Sequence, residues 1–79
     1  MIPVEELKKG SIYMGETSLN RKILDFYRVR MGKRPYKVKS PVNSIVRYIR
    51  VAEDGSEVGS PYSCEGATFS KWAIEEVIN

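Results

Sequence analysis

The hydrophobic and polar positions of this chain alternate in short segments typical of β-strands. Four such segments lie at residues 11–14, 21–30, 44–51 and 57–64. A turn signal, Ala52–Gly55, separates the last two, and Pro61 removes a backbone donor from the weaker final segment. The pattern therefore predicts a mainly β, β-rich α+β fold in which segment 57–64 is an edge strand.

The segment 21–30 departs from a simple two-residue alternation. Ile23, Tyr27 and Val29 share one parity with Asp25, whereas Leu24 and Phe26 share the other with Arg28 and Arg30. Apolar residues on both parities indicate a strongly curved or bulged strand that is buried partly on each face. We therefore expect a small SH3-like or partly open barrel.

Two short helical segments are predicted at the ends of the chain. Pro3 suits the first turn of a helical segment at 3–9, which Gly10 would end. Near the other end, Thr68 is placed to cap a C-terminal helix from Phe69 to Val77. The helical spacing of its apolar residues predicts that Trp72 packs in the core.

The segment 31–43 combines prolines, a glycine, four cationic side chains and Tyr36, and it shows no regular period. We expect a long exposed loop. Loops of this length in small domains are uncommon unless they have a function.

Length and composition limit the classes of protein that remain. A chain of 79 residues is enough for a single domain, 1–79, with a small core. It contains no histidine and one cysteine, Cys64, which predicts no disulfide, no metal site and no cofactor. The absence of a signal-like start or a long apolar run predicts a cytoplasmic protein without a membrane partner.

No segment carries a pattern associated with catalysis. Glycine-rich phosphate-binding loops, a nucleophile elbow and an EF-hand loop are all missing from the sequence. Asp25 and the scattered glutamates form no recognisable acid/base pair. We therefore expect a binding protein and not an enzyme.

The charge is distributed very unevenly along the chain. Residues 21–50 contain ten cationic side chains and one carboxylate, whereas residues 51–79 contain one cation and six carboxylates. Such a basic region with interleaved aromatic residues is suited to phosphate contacts and base stacking. The candidate site for nucleic acid or another anion comprises Arg28, Arg30, Lys33, Arg34, Tyr36, Lys37, Lys39, Arg47 and Arg50.

Three interpretations of this basic region stay open. It can bind nucleic acid, it can belong to a protein-interaction module that binds a host or phage protein, or it can be a solvated face that only keeps the protein soluble. The sequence does not determine the oligomeric state.

Several short motifs carry a resemblance to a known class of proteins. They are Leu7–Gly10 before Ile12–Tyr13, Arg21–Leu24, Val46–Tyr48, Ser63–Cys64 and Phe69–Ala73. In their order they resemble a group of small uncharacterised phage and prophage proteins that have an SH3-like barrel and a short helix. The resemblance implies this fold and a gene carried by a phage or prophage. It assigns no functional residue.

Overall fold

The six strands of the described residues form one antiparallel sheet. The computed structural model describes residues 1–77. The strands are β1 (Ile12–Gly15), β2 (Asn20–Arg28), β3 (Tyr36–Val38), β4 (Ile45–Val51), β5 (Glu57–Glu65) and β6 (Ala73–Val77). A 3-10 turn, Val4–Glu6, precedes them, and helix α1 (Gly66–Trp72) lies between β5 and β6.

The sheet is open, so the mainly β class is confirmed but the predicted barrel is not. Its strand order is β5-β4-β2-β1-β6, and β3 pairs with β2 beside β1. Within residues 1–77, β5 and β6 each have one partner strand and do not pair with each other. The molecule is accordingly elongated, with extents of 40 × 25 × 19 Å.

A bulge in β2 explains the mixed parity of its sequence. Ile23 pairs with Tyr48, and Asp25 pairs with Arg47. Leu24 is therefore an extra residue in the pairing of β2 with β4. The insertion exchanges the faces of the residues that follow it. Ile23 and Phe26 are consequently both buried in the same core although they lie three positions apart. The predicted bulged strand is confirmed.

The predicted C-terminal helix is wrong in its bounds. Helix α1 starts at Gly66, with Glu65 as its N-cap residue in place of Thr68, and ends at Trp72. The segment Ala73–Val77 is a strand. It pairs antiparallel with β1 along most of its length, because β1 has an edge that would otherwise lack backbone partners.

The predicted loop 31–43 contains a strand, so that prediction was also partly wrong. β2 extends beyond the end of β1, and Tyr36–Val38 pairs with its free edge at Phe26–Arg28. A strand of three residues is too short to produce a recognisable alternation.

The remaining predicted elements agree with the structure. The N-terminal helical segment is present but shorter than the predicted 3–9: it is the 3-10 turn Val4–Glu6, which ends before Gly10 and its φ of 87°. The turn after β4 is closed by a hydrogen bond from the Gly55 amide to the Ala52 carbonyl at 2.9 Å. Strand β5, which contains Pro61, lies at the end of the sheet as expected.

Helix α1 covers one face of the sheet and completes the core. The core side chains that are almost fully buried are Leu7, Tyr13, Ile23, Phe26, Val46, Tyr48, Phe69 and Ala73. Phe69 is fully buried and makes edge-to-face contacts with the rings of Tyr13 and Tyr48, at centroid distances of 5.7 and 5.6 Å. The Tyr13 hydroxyl accepts a hydrogen bond from the Lys8 amide at 2.9 Å, so this buried polar atom is satisfied.

Trp72 packs at the border of this core and not inside it. Its ring is half-buried, contacts Phe69 edge-on at 5.3 Å, and donates an Nε1 hydrogen bond to Thr17 Oγ1 at 3.2 Å. Gly15 of β1 permits this position, because a Cβ added to Gly15 would lie 2.3 Å from Trp72 Cε2 and 2.5 Å from its carbonyl oxygen.

Gly15→Ala is therefore expected to destabilise the protein by about 1–3 kcal/mol through overpacking, because the added methyl group must displace Trp72. Urea denaturation measures the loss, and emission from the single tryptophan reports the displacement. Gly32→Ala is the matched control. Its added methyl group meets nothing within 4 Å, so it should leave the tryptophan emission unchanged even if its φ of 74° makes the substitution costly. A Gly15→Ala protein with the parental midpoint and emission would contradict this packing.

Candidate functional site

The bulge in β2 and the register of the sheet divide the predicted basic residues between two faces. Residues opposite each other on paired strands point to the same face, and neighbours along a strand alternate. Arg28 therefore points to the face that helix α1 covers, as Phe26 does, and so does Arg50, as Tyr48 does. Arg47, which pairs with Asp25, points to the opposite face. The nine predicted residues do not form one continuous surface.

The connection between β2 and β3 gathers four of the predicted residues. Arg30, Lys33, Arg34 and Tyr36 line one shallow depression there, and we call them the hairpin cluster. The Arg30 guanidinium lies 5.3 Å from the centre of the Tyr36 ring, and the Lys33 amide donates to the Arg30 carbonyl at 3.0 Å. All four side chains are exposed. The turn thus presents three cations beside an aromatic ring.

Arg28 and Lys39 flank this cluster in different ways. The Arg28 side chain is half-buried and donates from Nη2 to the Val42 carbonyl at 2.9 Å, which ties β2 to the segment before β4. Arg28 therefore has a structural contact. Lys39 follows β3 and is exposed.

Lys37 lies close to the only carboxylate of the basic region. Its Nζ is 3.7 Å from Asp25 Oδ2, and Lys9 Nζ is 3.0 Å from Asp25 Oδ1. The hydrogen bond from Lys9 lowers the pKa of Asp25, partial burial opposes this effect, and the charges of Lys37 and Lys9 lower the pKa further. Part of the Lys37 charge is thereby neutralised within the protein.

Arg47 lies on the face of the sheet that helix α1 does not cover. It is exposed and lines a groove of about 310 Å³ with Tyr27, Pro35, Ile45 and Ser63. No carboxylate oxygen of residues 1–77 lies within 4.0 Å of its guanidinium. This face therefore presents the Arg47 charge beside apolar side chains, with Asp25 as its cross-strand neighbour.

Arg50 belongs to a second aromatic and cationic group, which the sequence analysis did not identify. The Arg21 guanidinium lies 4.0 Å from the Trp72 ring centre and 4.7 Å from that of Tyr48. Tyr48 stacks with Tyr62 at 6.0 Å, and the Arg50 guanidinium lies 4.9 Å from the Tyr62 ring centre. We call this row, Trp72–Arg21–Tyr48–Tyr62–Arg50, the ladder. It runs across the sheet beside helix α1.

Four ladder residues were missed because their proximity depends on strand register. Arg21 and Arg50 are direct cross-strand partners, as are Tyr48 and Tyr62. One signal in the sequence could have indicated the pair: Tyr48 and Tyr62 lie in the two strand segments that flank the turn Ala52–Gly55. A hairpin brings such residues together, but the bulge in β5 sets which of them align.

The ion pairs of the described chain use lysine and no arginine. Lys8, Lys9, Lys22 and Lys37 lie within 4.0 Å of carboxylate oxygens. Within residues 1–77 none of the six arginines does so. The arginines that make contacts use aromatic rings or a backbone carbonyl, so no carboxylate of residues 1–77 forms an ion pair with them.

Other kinds of site have little basis in the part of the chain that the structure describes. No group of three or more acidic or cysteine side chains is placed there to hold a metal ion. None of the helices in residues 1–77 is long and apolar enough to cross a membrane. Burial raises the pKa of the half-buried Cys64 thiol.

Comparison with known proteins gives no family assignment. The chain matches no protein-family model, no curated protein and no solved structure. The resemblance to small phage proteins therefore stays a prediction, and the functional argument depends on the geometry of the basic groups.

Asp25 provides a pH test of the basic region. The pKa of Asp25 is lower in the folded than in the unfolded protein. Its ion pairs therefore stabilise the fold fully at pH values above the unfolded-state pKa. This stabilisation is lost as the pH falls through the folded-state pKa. We expect the difference in unfolding free energy between the parent and Asp25→Asn to be largest near neutral pH and to shrink below about pH 4. Denaturation at a series of pH values measures it, and 1 M salt should reduce it. If the free-energy difference between the parent and Asp25→Asn stayed constant down to pH 2, the ion pairs of Asp25 would not contribute to stability as proposed.

Proposed function

We propose that this chain binds nucleic acid and that the hairpin cluster makes the main contact with the phosphate backbone. The observation that carries the proposal is the exposure of Arg30, Lys33 and Arg34 beside Tyr36, with no carboxylate oxygen of residues 1–77 within 4.0 Å of any of the three cations. Exposed cations that are not neutralised internally are available to displace the counterions of a polyanion.

The chemistry of the cluster suits a phosphate backbone. Arginine presents a planar fork of donors that can contact two phosphate oxygens, and lysine adds a compact charge. The Arg30 guanidinium also rests near the Tyr36 ring, which restricts its motion without neutralising it. Binding would therefore cost less side-chain ordering at Arg30 than at Lys33 and Arg34, which are exposed.

The other predicted residues would contribute unequally. Lys39 follows β3 and can extend the cationic surface. Lys37 forms an ion pair with Asp25 and would contribute less. Arg28 is engaged with the Val42 carbonyl. Arg47 points to the opposite face, so it would not contact the same stretch of backbone unless the ligand wraps around the sheet.

We propose binding without catalysis. The hairpin cluster is a shallow exposed depression, and Lys33 and Tyr36, which could act as a base or nucleophile, have no carboxylate, histidine or cysteine in the cluster to activate them. The protein would act in the cytoplasm.

An interaction with a host or phage protein is the second candidate function. It is favoured by the open edge of β5 at residues 63–65, which lie beyond the bulge of that strand, and by the resemblance to phage-type proteins with SH3-like barrels. Exposed strand edges can recruit an additional strand from a partner. Binding measurements with nucleic acid separate this candidate from the first.

The combined variant Lys33→Glu with Arg34→Glu should weaken nucleic-acid binding strongly and leave the melting temperature nearly unchanged, because both side chains are exposed. If each contacts one phosphate, the log–log slope of affinity against salt should fall by about two. Fluorescence anisotropy with a labelled 12-nucleotide strand and a 12-base-pair duplex, at several salt concentrations, measures both quantities.

Lys8→Glu with Lys71→Glu is the matched control for this test. It changes the net charge by the same amount at two exposed positions outside the basic region, and its melting temperature is also measured because Lys8→Glu breaks the 3.5 Å ion pair with Glu76. It should retain most of the binding, since long-range effects of net charge are screened beyond about 10 Å at 0.1 M salt. Equal losses in the two variants would indicate nonspecific attraction. Parental binding by the hairpin variant would reject the proposed contact.

A further inference from the structure

The ladder has one ring that is widely open to solvent. Tyr48 is buried and Trp72 is half-buried, but Tyr62 is 49% exposed. Tyr62 is held by stacking on Tyr48, with an angle of 27° between the rings, and by the Arg50 guanidinium 4.9 Å away. Tyr62 is thus held in a fixed position with about half of its surface open to a ligand.

The two arginines of the ladder form no ion pair within residues 1–77. Arg21 and Arg50 are directly opposite each other on β2 and β4, and like charges in such positions repel. No carboxylate oxygen of residues 1–77 lies within 4.0 Å of either guanidinium. Arg50 Nε is also buried and has no hydrogen-bond partner within residues 1–77. An anion bound beside these arginines would relieve the repulsion.

The backbone of β5 is unsuited to strand addition at this place. Three residues, Gly59–Pro61, stand opposite the single residue Ile49, so the strand is strongly bulged. Gly59 has a φ of 72°, and a Cβ added to it would lie 3.0 Å from Arg50 Nη2. Pro61 has no backbone donor. A partner at this point must therefore contact side chains and not the edge of the sheet.

We infer that the ligand is a single-stranded nucleic acid whose unpaired bases stack on Tyr62 and the adjoining Arg50 guanidinium. This inference rests on the proposed function and names its ligand class. Aromatic rings and guanidinium planes are the surfaces on which unpaired bases stack, largely without sequence preference. The phosphates beside such a base would lie against Arg50 and Arg21.

A duplex cannot use the ladder in this way. Its bases are stacked on each other, so its accessible groups are phosphates and the base edges in the grooves. The hairpin cluster can contact the phosphates of either form, whereas an exposed tyrosine can stack on any unpaired base of a single strand but only on the terminal base pairs of a duplex. The ladder thus selects for single strands.

The test compares binding of an oligothymidylate 12-mer and a 12-base-pair duplex to the Tyr62 variants. Tyr62→Ala should weaken binding of the single strand by about 5- to 150-fold, the usual effect of losing one stacked base. Duplex binding should stay within about twofold of the parent, since phosphate contacts alone support it. Tyr62→Phe keeps the ring and should bind both ligands like the parent.

Two further variants separate stacking from other effects. Tyr62→Leu keeps apolar bulk next to Tyr48 but has no ring face, so it should lose single-strand binding as Tyr62→Ala does while preserving more of the packing. Ile74→Ala removes another side chain that is 49% exposed, on β6, and should leave both affinities unchanged. Thermal melts of each variant set a measurement temperature at which all are folded.

The outcomes distinguish this inference from the proposed function. If Tyr62→Ala and Tyr62→Leu bind the 12-mer as tightly as the parent while the Lys33→Glu/Arg34→Glu variant does not, the ladder inference is wrong and the proposed function stands. Tighter binding of duplex than of single strand by the parent also overturns the inference. If the parent binds neither nucleic acid at low salt, the proposed function itself fails.

Discussion

The fold depends on the burial of Phe69 against the sheet. Its side chain is fully buried, and its ring meets those of Tyr13, Tyr48 and Trp72 at centroid distances of 5.3–5.7 Å. A helix of seven residues is too short to be stable alone, so tertiary packing must stabilise α1. Because β6 follows directly, the same contact directs the chain back to the edge of β1 and sets Trp72 over Gly15.

The sequence predicted the elements whose cause is local. The apolar residues of β2 and β4, the turn Ala52–Gly55 and the edge position marked by Pro61 each depend on residues near in sequence. The strand β6 does not depend on nearby residues. Ala73–Val77 is extended only because β1 offers unpaired backbone groups there. Its apolar spacing also fits a helix, and tertiary pairing overrode that pattern. The same reason explains β3, which exists because β2 is longer than β1.

The candidate site was predictable in composition but not in arrangement. The excess of cations in residues 21–50 is a property of the sequence, and the structure gathers Arg30, Lys33, Arg34 and Tyr36 at one turn. The division of the rest between two faces follows from the bulge at Leu24, which the mixed parity of β2 indicated without giving its position. Arg21 was not assigned to the site because its proximity to Arg50 and Trp72 requires both the strand register and the final position of the helix.

Arginine and lysine have separate roles in this molecule, and the separation bears on the size of the ligand. The lysines make the ion pairs, whereas Arg21, Arg30 and Arg50 lie near aromatic rings, where a weakly hydrated guanidinium keeps its full charge. Arg21 and Arg28 stand near opposite ends of β2, roughly 20 Å apart at the usual rise per residue of a strand. That distance is about twice the screening length at 0.1 M salt, so the ladder and the hairpin cluster do not reinforce each other's field. A small anion can gain from one group only. A ligand that gains from both must be a polyanion long enough to span them, and one that also uses the exposed ring of Tyr62 must offer unpaired bases along the way.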